Sequence, residues 1–341
     1  MDQLLKSKYR IGQKLAENPF SVTYQGFFIG TDKPVIVKIY KRGTLNSTLI
    51  KSMKQRVLGF SIVNHQGLTK LYDGDYGWQG FYYVREYVDG PSLADLLAQG
   101  EKFDAAKATV IIEQALAALA AAHARGVVHG SLKPTNIFID RQGIVKLTDF
   151  VVEGELKAAL PQKILELMAN GRYASPEELA GLPVTPATDL FALGLVLYEL
   201  LTGRPAVTEL GLGGGVRKLR GPVKLPPETA ASWPLYLREI VTCALRPDPL
   251  QRFASADEFR AALEGRRLPR RGAADDELVK IFESVVTQYG GEELDSRSEV
   301  LEEVGQIKLR WGKEKHRNWI LAVVTLSFVV LGIIYAYFLG R

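Results

Sequence analysis

The hydrophobic period changes once along this chain, near residue 90, and no other feature constrains the fold as strongly. From Tyr9 to about Tyr40 the pattern is strand-like, with alternation in Val22-Thr23-Tyr24 and a β-branched run, Val35-Ile36-Val37. Residues from about Thr48 to Val63 read as a helix, and Phe81-Tyr82-Tyr83-Val84 as a further strand before the turn signal Asp89-Gly90-Pro91. Helical periods then take over. Ala105 to Ala124 is rich in alanine and leucine, and Asp189 to Thr202 is an apolar helix closed by Gly203. A small sheet with one helix, followed by a larger helical body, is an α+β order.

With 341 residues, 47% of them hydrophobic and 24% charged, the chain can bury a sizeable core. A single cysteine, Cys243, excludes an intramolecular disulfide and any multi-cysteine metal site. His65, His123, His129 and His316 show no metal-ligand spacing. The net charge of +5 is carried visibly by Arg266-Arg267, Arg270-Arg271 and the stretch from Lys308 to Arg317, outside the main body, so nucleic acid is not an expected partner.

Trp319 to Leu339 is uncharged and largely apolar, and at about 1.5 Å per residue it crosses a hydrocarbon core of roughly 30 Å. It reads as one transmembrane helix, with Trp319 at one interface and Tyr335 and Tyr337 near the other. Lys308, Arg310, Lys313, Lys315 and Arg317 precede it and Arg341 alone follows, which places the N-terminal part in the cytoplasm. Met1 to Lys6 holds no apolar signal core, so insertion from the C-terminal end is expected. Gly332, Ala336 and Gly340 recur every four positions, a face that permits a homodimer.

Between body and membrane, residues 266–318 read as a cytoplasmic linker and stalk. Arg266 to Gly272 is the linker; Leu278, Ile281, Phe282, Val285, Val286 and Tyr289 then share one helical face. A second amphipathic helix starts at Ser296, where Glu299 completes a capping box, and carries Val300, Leu301, Val304 and Ile307. These helices either dock on the body or serve as a self-association or partner stalk. Internal repeats are absent.

His129-Gly130-Ser131-Leu132-Lys133-Pro134-Thr135-Asn136 has the shape of a phosphoryl-transfer catalytic loop, and Asp149-Phe150-Val151 that of a metal-binding segment. With Lys38, Ser175-Pro176-Glu177, Asp189 and Arg252 they form an ordered series from about residue 9 to 263 that resembles the eukaryotic-type Ser/Thr protein-kinase family. The resemblance implies a bilobal fold over residues 1–265. A small N-lobe of sheet plus helix would occupy about 1–88, and a larger helical C-lobe about 89–265. It assigns nucleotide contacts to Lys38, Glu86, Val88, Asn136 and Asp149, with Asn136 and Asp149 holding Mg²⁺. Structural roles fall to His129, Phe150, Glu177, Asp189 and Arg252, with Phe60, His129 and Phe150 in a hydrophobic spine.

Several positions depart from that pattern. Ser131 replaces the catalytic aspartate, so no catalytic residue is assigned, and Gly130 replaces the arginine before it. Leu15 to Tyr24 stands where a glycine-rich phosphate loop belongs and holds no glycine. Arg56 stands where the helix glutamate that pairs with Lys38 belongs, and Lys51 to Gly67 contains no acid. Ile36 and Phe138 enlarge the walls of the adenine slot. Arg85, at the gatekeeper position, narrows it further and requires Asp149 or a backbone carbonyl as partner. Val151 to Ala174 lacks Ser and Thr, leaving Tyr173 as its hydroxyl; a short helix from about Pro161 is expected there to cover the substrate groove.

The reading is a membrane-anchored, single-pass pseudokinase, a signalling scaffold or allosteric partner for proteins at the cytoplasmic membrane face. It needs no cofactor. The alternatives are an atypical active Ser/Thr protein kinase using ATP and Mg²⁺, and a nucleotide sensor that does not hydrolyse what it binds.

Overall fold

The computed structural model describes residues 4–60, 63–77, 79–150, 172–179, 182–206 and 233–269. The helix expected from Pro161, the amphipathic stalk and the transmembrane helix 319–339 lie outside the described residues. The chain divides into two compact units, Met1–Leu268 and Pro269–Arg341, and nearly all described elements belong to the first.

A six-stranded antiparallel sheet opens the first unit, in the order β1-β2-β3-β4-β6-β5, with β1 at Leu4–Leu5, β2 at Tyr9–Glu17, β3 at Ser21–Phe28, β4 at Pro34–Lys41, β5 at Leu71–Gly77 and β6 at Gly80–Glu86. Strands β4 and β6 are central and pair Ile36 with Arg85, Lys38 with Tyr83 and Tyr40 with Phe81. Since side chains alternate, this pairing gives the sheet two distinct faces. Val35, Val37, Ile39, Tyr82 and Val84 pack on one face with Leu5, Tyr9 and Ile11. Tyr40, Phe81 and Tyr83 pack on the other with Leu49, Met53 and Val57 of helix α1 (Ser47–Phe60). Ile36, Lys38 and Arg85 share that second face.

Helix α1 starts where Asn46 Oδ1 accepts the Leu49 amide at 2.8 Å, a side-chain cap. It lies hard against β5. A β-carbon on Gly74 would sit 2.8 Å from Val57 Cγ1, so only glycine admits this approach. Lys54 forms an ion pair with Asp75 beside it. Lys6 also reaches Asp75, at 2.7 Å, and Asp73, at 3.4 Å, so one side chain bridges the sheet's two edge strands. The carboxyl of Asp75 is held well below the usual range by hydrogen bonds from Lys54 and Lys6.

Past the hinge, α2 (Leu93–Ala98) begins with a capping box: Ser92 Oγ accepts the Asp95 amide at 3.1 Å and Asp95 Oδ2 accepts the Ser92 amide at 2.9 Å. Helix α3 (Ala105–His123) is long and apolar enough to cross a membrane, yet it is a core helix, burying Ala108, Ile111, Ile112, Ala115, Leu116, Ala118, Leu119 and Ala122. A 3-10 turn, Pro134–Asn136, leads into the ribbon β7 (Ile137–Ile139) and β8 (Val145–Leu147). Helices α4 (Pro176–Leu179), α5 (Pro186–Thr202), α6 (Leu235–Ala244) and α7 (Ala256–Glu264) are the further helices of this lobe among the described residues. Within it, α5 is buried from Thr188 to Leu200, which explains its apolar sequence.

A sheet lobe followed by a helical lobe matches the expected α+β bilobal order. Boundaries moved by a few residues: α5 starts at Pro186, three residues before Asp189, because Pro is well placed in a first turn. Strand β5 escaped the alternation pattern because its sequence, Leu-Tyr-Asp-Gly-Asp-Tyr-Gly, is shaped by α1 and Lys6 rather than by a simple apolar face.

Arg252 ties α4 to the far end of the lobe. Its guanidinium is fully buried, with Nη1 and Nη2 each 2.7 Å from a Glu177 carboxylate oxygen. The remaining donors go to the carbonyls of Arg246 (2.7 Å), Ala187 (3.0 Å) and Pro247 (2.9 Å), and the plane lies 4.6 Å from the Phe191 ring centroid. All five N–H groups are thereby satisfied. Replacing Arg252 by Met is expected to cost about 3–5 kcal/mol, since it strands a buried carboxylate. Urea unfolding checks this, and Glu177→Leu added to Arg252→Met is expected to recover only part of the loss, because three carbonyls stay orphaned.

Candidate functional site

The loop from His129 to Asn136 is fixed from behind by one buried carboxylate. Asp189, fully buried on α5, accepts the His129 amide at Oδ2 and the Gly130 amide at Oδ1, both at 2.8 Å, and His123 Nε2 lies 2.8 Å from Oδ2. Gly130 has φ +67°, a left-handed backbone that glycine adopts without strain. Burial pushes the Asp189 carboxyl up, but the His123 hydrogen bond, the charges of His123 and His129 and the His129 amide outweigh it, and its pKa is lowered. His129 Nε2 meets the Thr148 carbonyl at 2.9 Å, joining the loop to the end of β8.

Ser131 sits in this loop with its amide 3.3 Å from His129 Nδ1 and its carbonyl accepting Asn136 Nδ2 at 3.0 Å. A serine hydroxyl does not ionise near neutral pH, so the position supplies no carboxylate base. Phe150 stacks on Phe60 of α1 (centroids 5.0 Å, planes 16° apart) and lies 4.4 Å from the His129 ring. The expected spine residues are thus brought into one column joining both lobes.

Asp149 is the centre of the cleft. Arg85 Nε and the Tyr83 hydroxyl both donate to its Oδ1 at 2.8 Å, and Lys38 Nζ lies 3.4 Å from its Oδ2. Arg85 Nη1 also donates to the Glu86 carbonyl at 3.1 Å. Tyr83, Lys38 and Arg85 project from the same face of β4 and β6, so the sheet register brings the three donors to one carboxylate. Lys38 Nζ is also 5.8 Å from the Tyr40 ring centroid. Burial, then the Asp149 charge, pushes the Tyr83 phenol well above its ordinary value, so it remains a donor. Tyr83 was missed at the sequence level; its alternation with Arg85 on a central strand was the available signal.

Arg56 is exposed on α1 and Lys38 is directed to Asp149, so the helix position offers the lysine no acid. Ile36 (5% exposed) stands opposite Arg85 and Val88 is buried, while Phe138 is half-buried on β7 opposite Lys146. The Glu86 side chain turns away: Oε1 meets Lys146 Nζ at 2.8 Å and Oε2 accepts the Lys70 amide at 3.0 Å. It borders a polar recess of about 620 Å³ with Asn64, His65, Gln66, Leu68, Lys70 and Lys146.

The hairpin between β2 and β3 is built around Asn18. Its Oδ1 accepts the amides of Phe20 (2.9 Å) and Ser21 (2.7 Å), an Asx turn that consumes the amides a phosphate loop would present. Glu17 beside it is exposed and bonds Lys41 (2.8 Å) and Lys14 (3.0 Å), which hold its carboxyl down to about 2. Tyr173 donates its hydroxyl to Glu199 on α5, and burial, followed by that carboxylate, pushes the phenol up.

Compared with known proteins, the chain matches the protein kinase domain over residues 9–262. Serine/threonine-protein kinase PrkC of Bacillus subtilis is 27% identical over 343 residues, covering 97% of this chain and 52% of that protein. Serine/threonine-protein kinase PknL of Mycobacterium tuberculosis is 28% identical over 299 residues, 84% of this chain and 75% of that protein. PknA of Mycobacterium tuberculosis is 29% identical over 277 residues, 78% of this chain and 64% of that protein. This chain therefore spans about half the length of the first of these relatives. Their names back the alternative reading, an ATP-dependent Ser/Thr kinase, better than the scaffold reading.

Because the folded pKa of Asp189 is depressed, its stabilising contribution is present above the unfolded value of about 3.9 and is lost as pH falls through the folded one. Urea midpoints measured from pH 7 downward are expected to fall across the acid range, and Asp189→Asn should flatten that part of the slope.

Proposed function

Since the chain belongs to the protein kinase domain family, with residues 9–262 matched, we propose that it is a membrane-anchored pseudokinase that acts as a scaffold or allosteric partner for proteins at the cytoplasmic face. The observation that carries this reading is the state of Asp149. Its Oδ1 already accepts Arg85 Nε and the Tyr83 hydroxyl at 2.8 Å, and Lys38 stands 3.4 Å from Oδ2. Magnesium requires near-octahedral oxygen ligands at about 2.0–2.1 Å. An ion placed on this carboxylate would face a guanidinium at contact distance, so the residues present do not fit it.

The rest of the cleft supports the same reading. Arg85 Nη1 takes the Glu86 carbonyl at an adenine-edge position, and Asn18 takes the hairpin amides. Ser131 supplies no carboxylate base. Membrane anchorage rests on the apolar run Trp319 to Leu339 and the basic residues before it.

A second reading is an atypical ATP-dependent Ser/Thr kinase, and the names of PrkC, PknL and PknA favour it. Lys38, Asn136 and Asp149 are retained, and phosphoryl transfer depends mainly on positioning and charge. Thermal unfolding of the full chain in detergent, with millimolar ATP and Mg²⁺, separates the two, since a ligand of the native state raises the midpoint. No shift and no phosphate transfer are expected. A Mg²⁺-dependent rise lost in Asp149→Ala, together with transfer to a protein substrate, would establish the kinase instead.

A further inference from the structure

In an enzyme of this family the nucleotide and its metal sit against Asp149 and Lys38 and help set the posture of both lobes. Here the same two side chains are held by the protein itself. The three donors to Asp149 come from the paired interior strands β4 and β6 of the sheet lobe, whereas Asp149 follows β8 in the helical lobe. The contact therefore crosses from one lobe to the other.

Two independent observations bear on how Asp149 is held. Its backbone has φ +63°, a left-handed conformation uncommon outside glycine that aspartate and asparagine tolerate best among the other residues. The next residue, Phe150, is the middle ring of the column from Phe60 on α1 to His129. Whatever fixes Asp149 also fixes Phe150, and through the stacked ring it fixes the end of α1. Helix α1 has no acid to offer Lys38; what joins it to Asp149 among the described residues is the aromatic column at its end and the packing of Leu49, Met53 and Val57 on the sheet face that carries Tyr83.

We propose that Arg85 and Tyr83, closing on Asp149, form a built-in clamp that holds the lobes and α1 in the assembled posture without nucleotide. The inference rests on the pseudokinase reading. It adds to that reading that the assembled posture is kept by side chains of the protein itself, with no nucleotide needed to set it. Arg85 replaces in one side chain both a cation at Asp149 and a donor at the Glu86 carbonyl. Tyr83 adds a second donor to the same carboxylate oxygen, at 2.8 Å.

Hydrogen exchange on the full chain in detergent tests the clamp. In the wild type, millimolar ATP with Mg²⁺ is expected to leave protection of residues 47–60 and 145–150 unchanged. Arg85→Met is expected to raise exchange in those two segments by roughly tenfold, the scale of losing a charge-assisted hydrogen bond, while α3 (105–123) keeps its protection. Unchanged exchange in 47–60 with α3 protected would overturn the proposal. If α3 also opens in Arg85→Met, the milder Tyr83→Phe carries the test: severalfold faster exchange in 47–60 supports the clamp, and none overturns it. A rise in α1 protection when wild-type chain meets ATP and Mg²⁺ would overturn the clamp even without phosphate transfer. Phosphate transfer without that rise would end the pseudokinase reading and leave the clamp standing.

Discussion

One buried carboxylate organises the interior of the helical lobe. Asp189 lies on a helix whose neighbours are almost all apolar, and it is tolerable there because two loop amides and a histidine meet its oxygens at 2.8 Å. That triple contact sets the turn at Gly130, and the turn aims the His129 ring at Phe150. Phe150 in turn meets Phe60 from the other lobe. The geometry of the cleft is therefore inherited from a group that never touches the cleft. Glu177 with Arg252 plays the same part at the far side of the lobe, where a bidentate pair is surrounded by three carbonyl acceptors.

Different residues hold the fold and line the cleft. Asp189, Glu177, Arg252, Phe60 and Phe150 make the buried contacts that hold the lobes and their loops together. The cleft keeps the residue types of Lys38, Asn136 and Asp149 but surrounds one of them with internal donors. A family name follows from the first group, and an activity depends on the second. This is why a match to the protein kinase domain over residues 9–262 and a self-occupied carboxylate can coexist in one molecule.

What the sequence revealed depended on whether a residue's role was local or tertiary. Helices α3 and α5 are long apolar runs with helical period, and their extents were readable within three residues. Arg85 on a buried strand needs an anion by its chemistry alone, so its demand was legible even though its contact with the Glu86 carbonyl was not. Strand β5 was hidden because Asp73, Gly74 and Asp75 answer to Lys6, Val57 and Lys54, residues far away in the chain. Asn18 was missed for the opposite reason. Its role is a single local turn, one that Asn before Pro and the amide two residues on already signal, but the reading of this hairpin turned on its missing glycines instead.

The bridge made by Lys6 bears on how other proteins can dock. An antiparallel sheet with free edges invites a visiting strand, which adds its own backbone hydrogen bonds to the row. Here one edge strand is two residues long, the other lies under α1 with Gly74 pressed on Val57, and a lysine joins them. An added strand would meet a two-residue template at one edge and, at the other, a strand packed by α1 and tied by Lys6, so neither edge of the described sheet is a long, bare template.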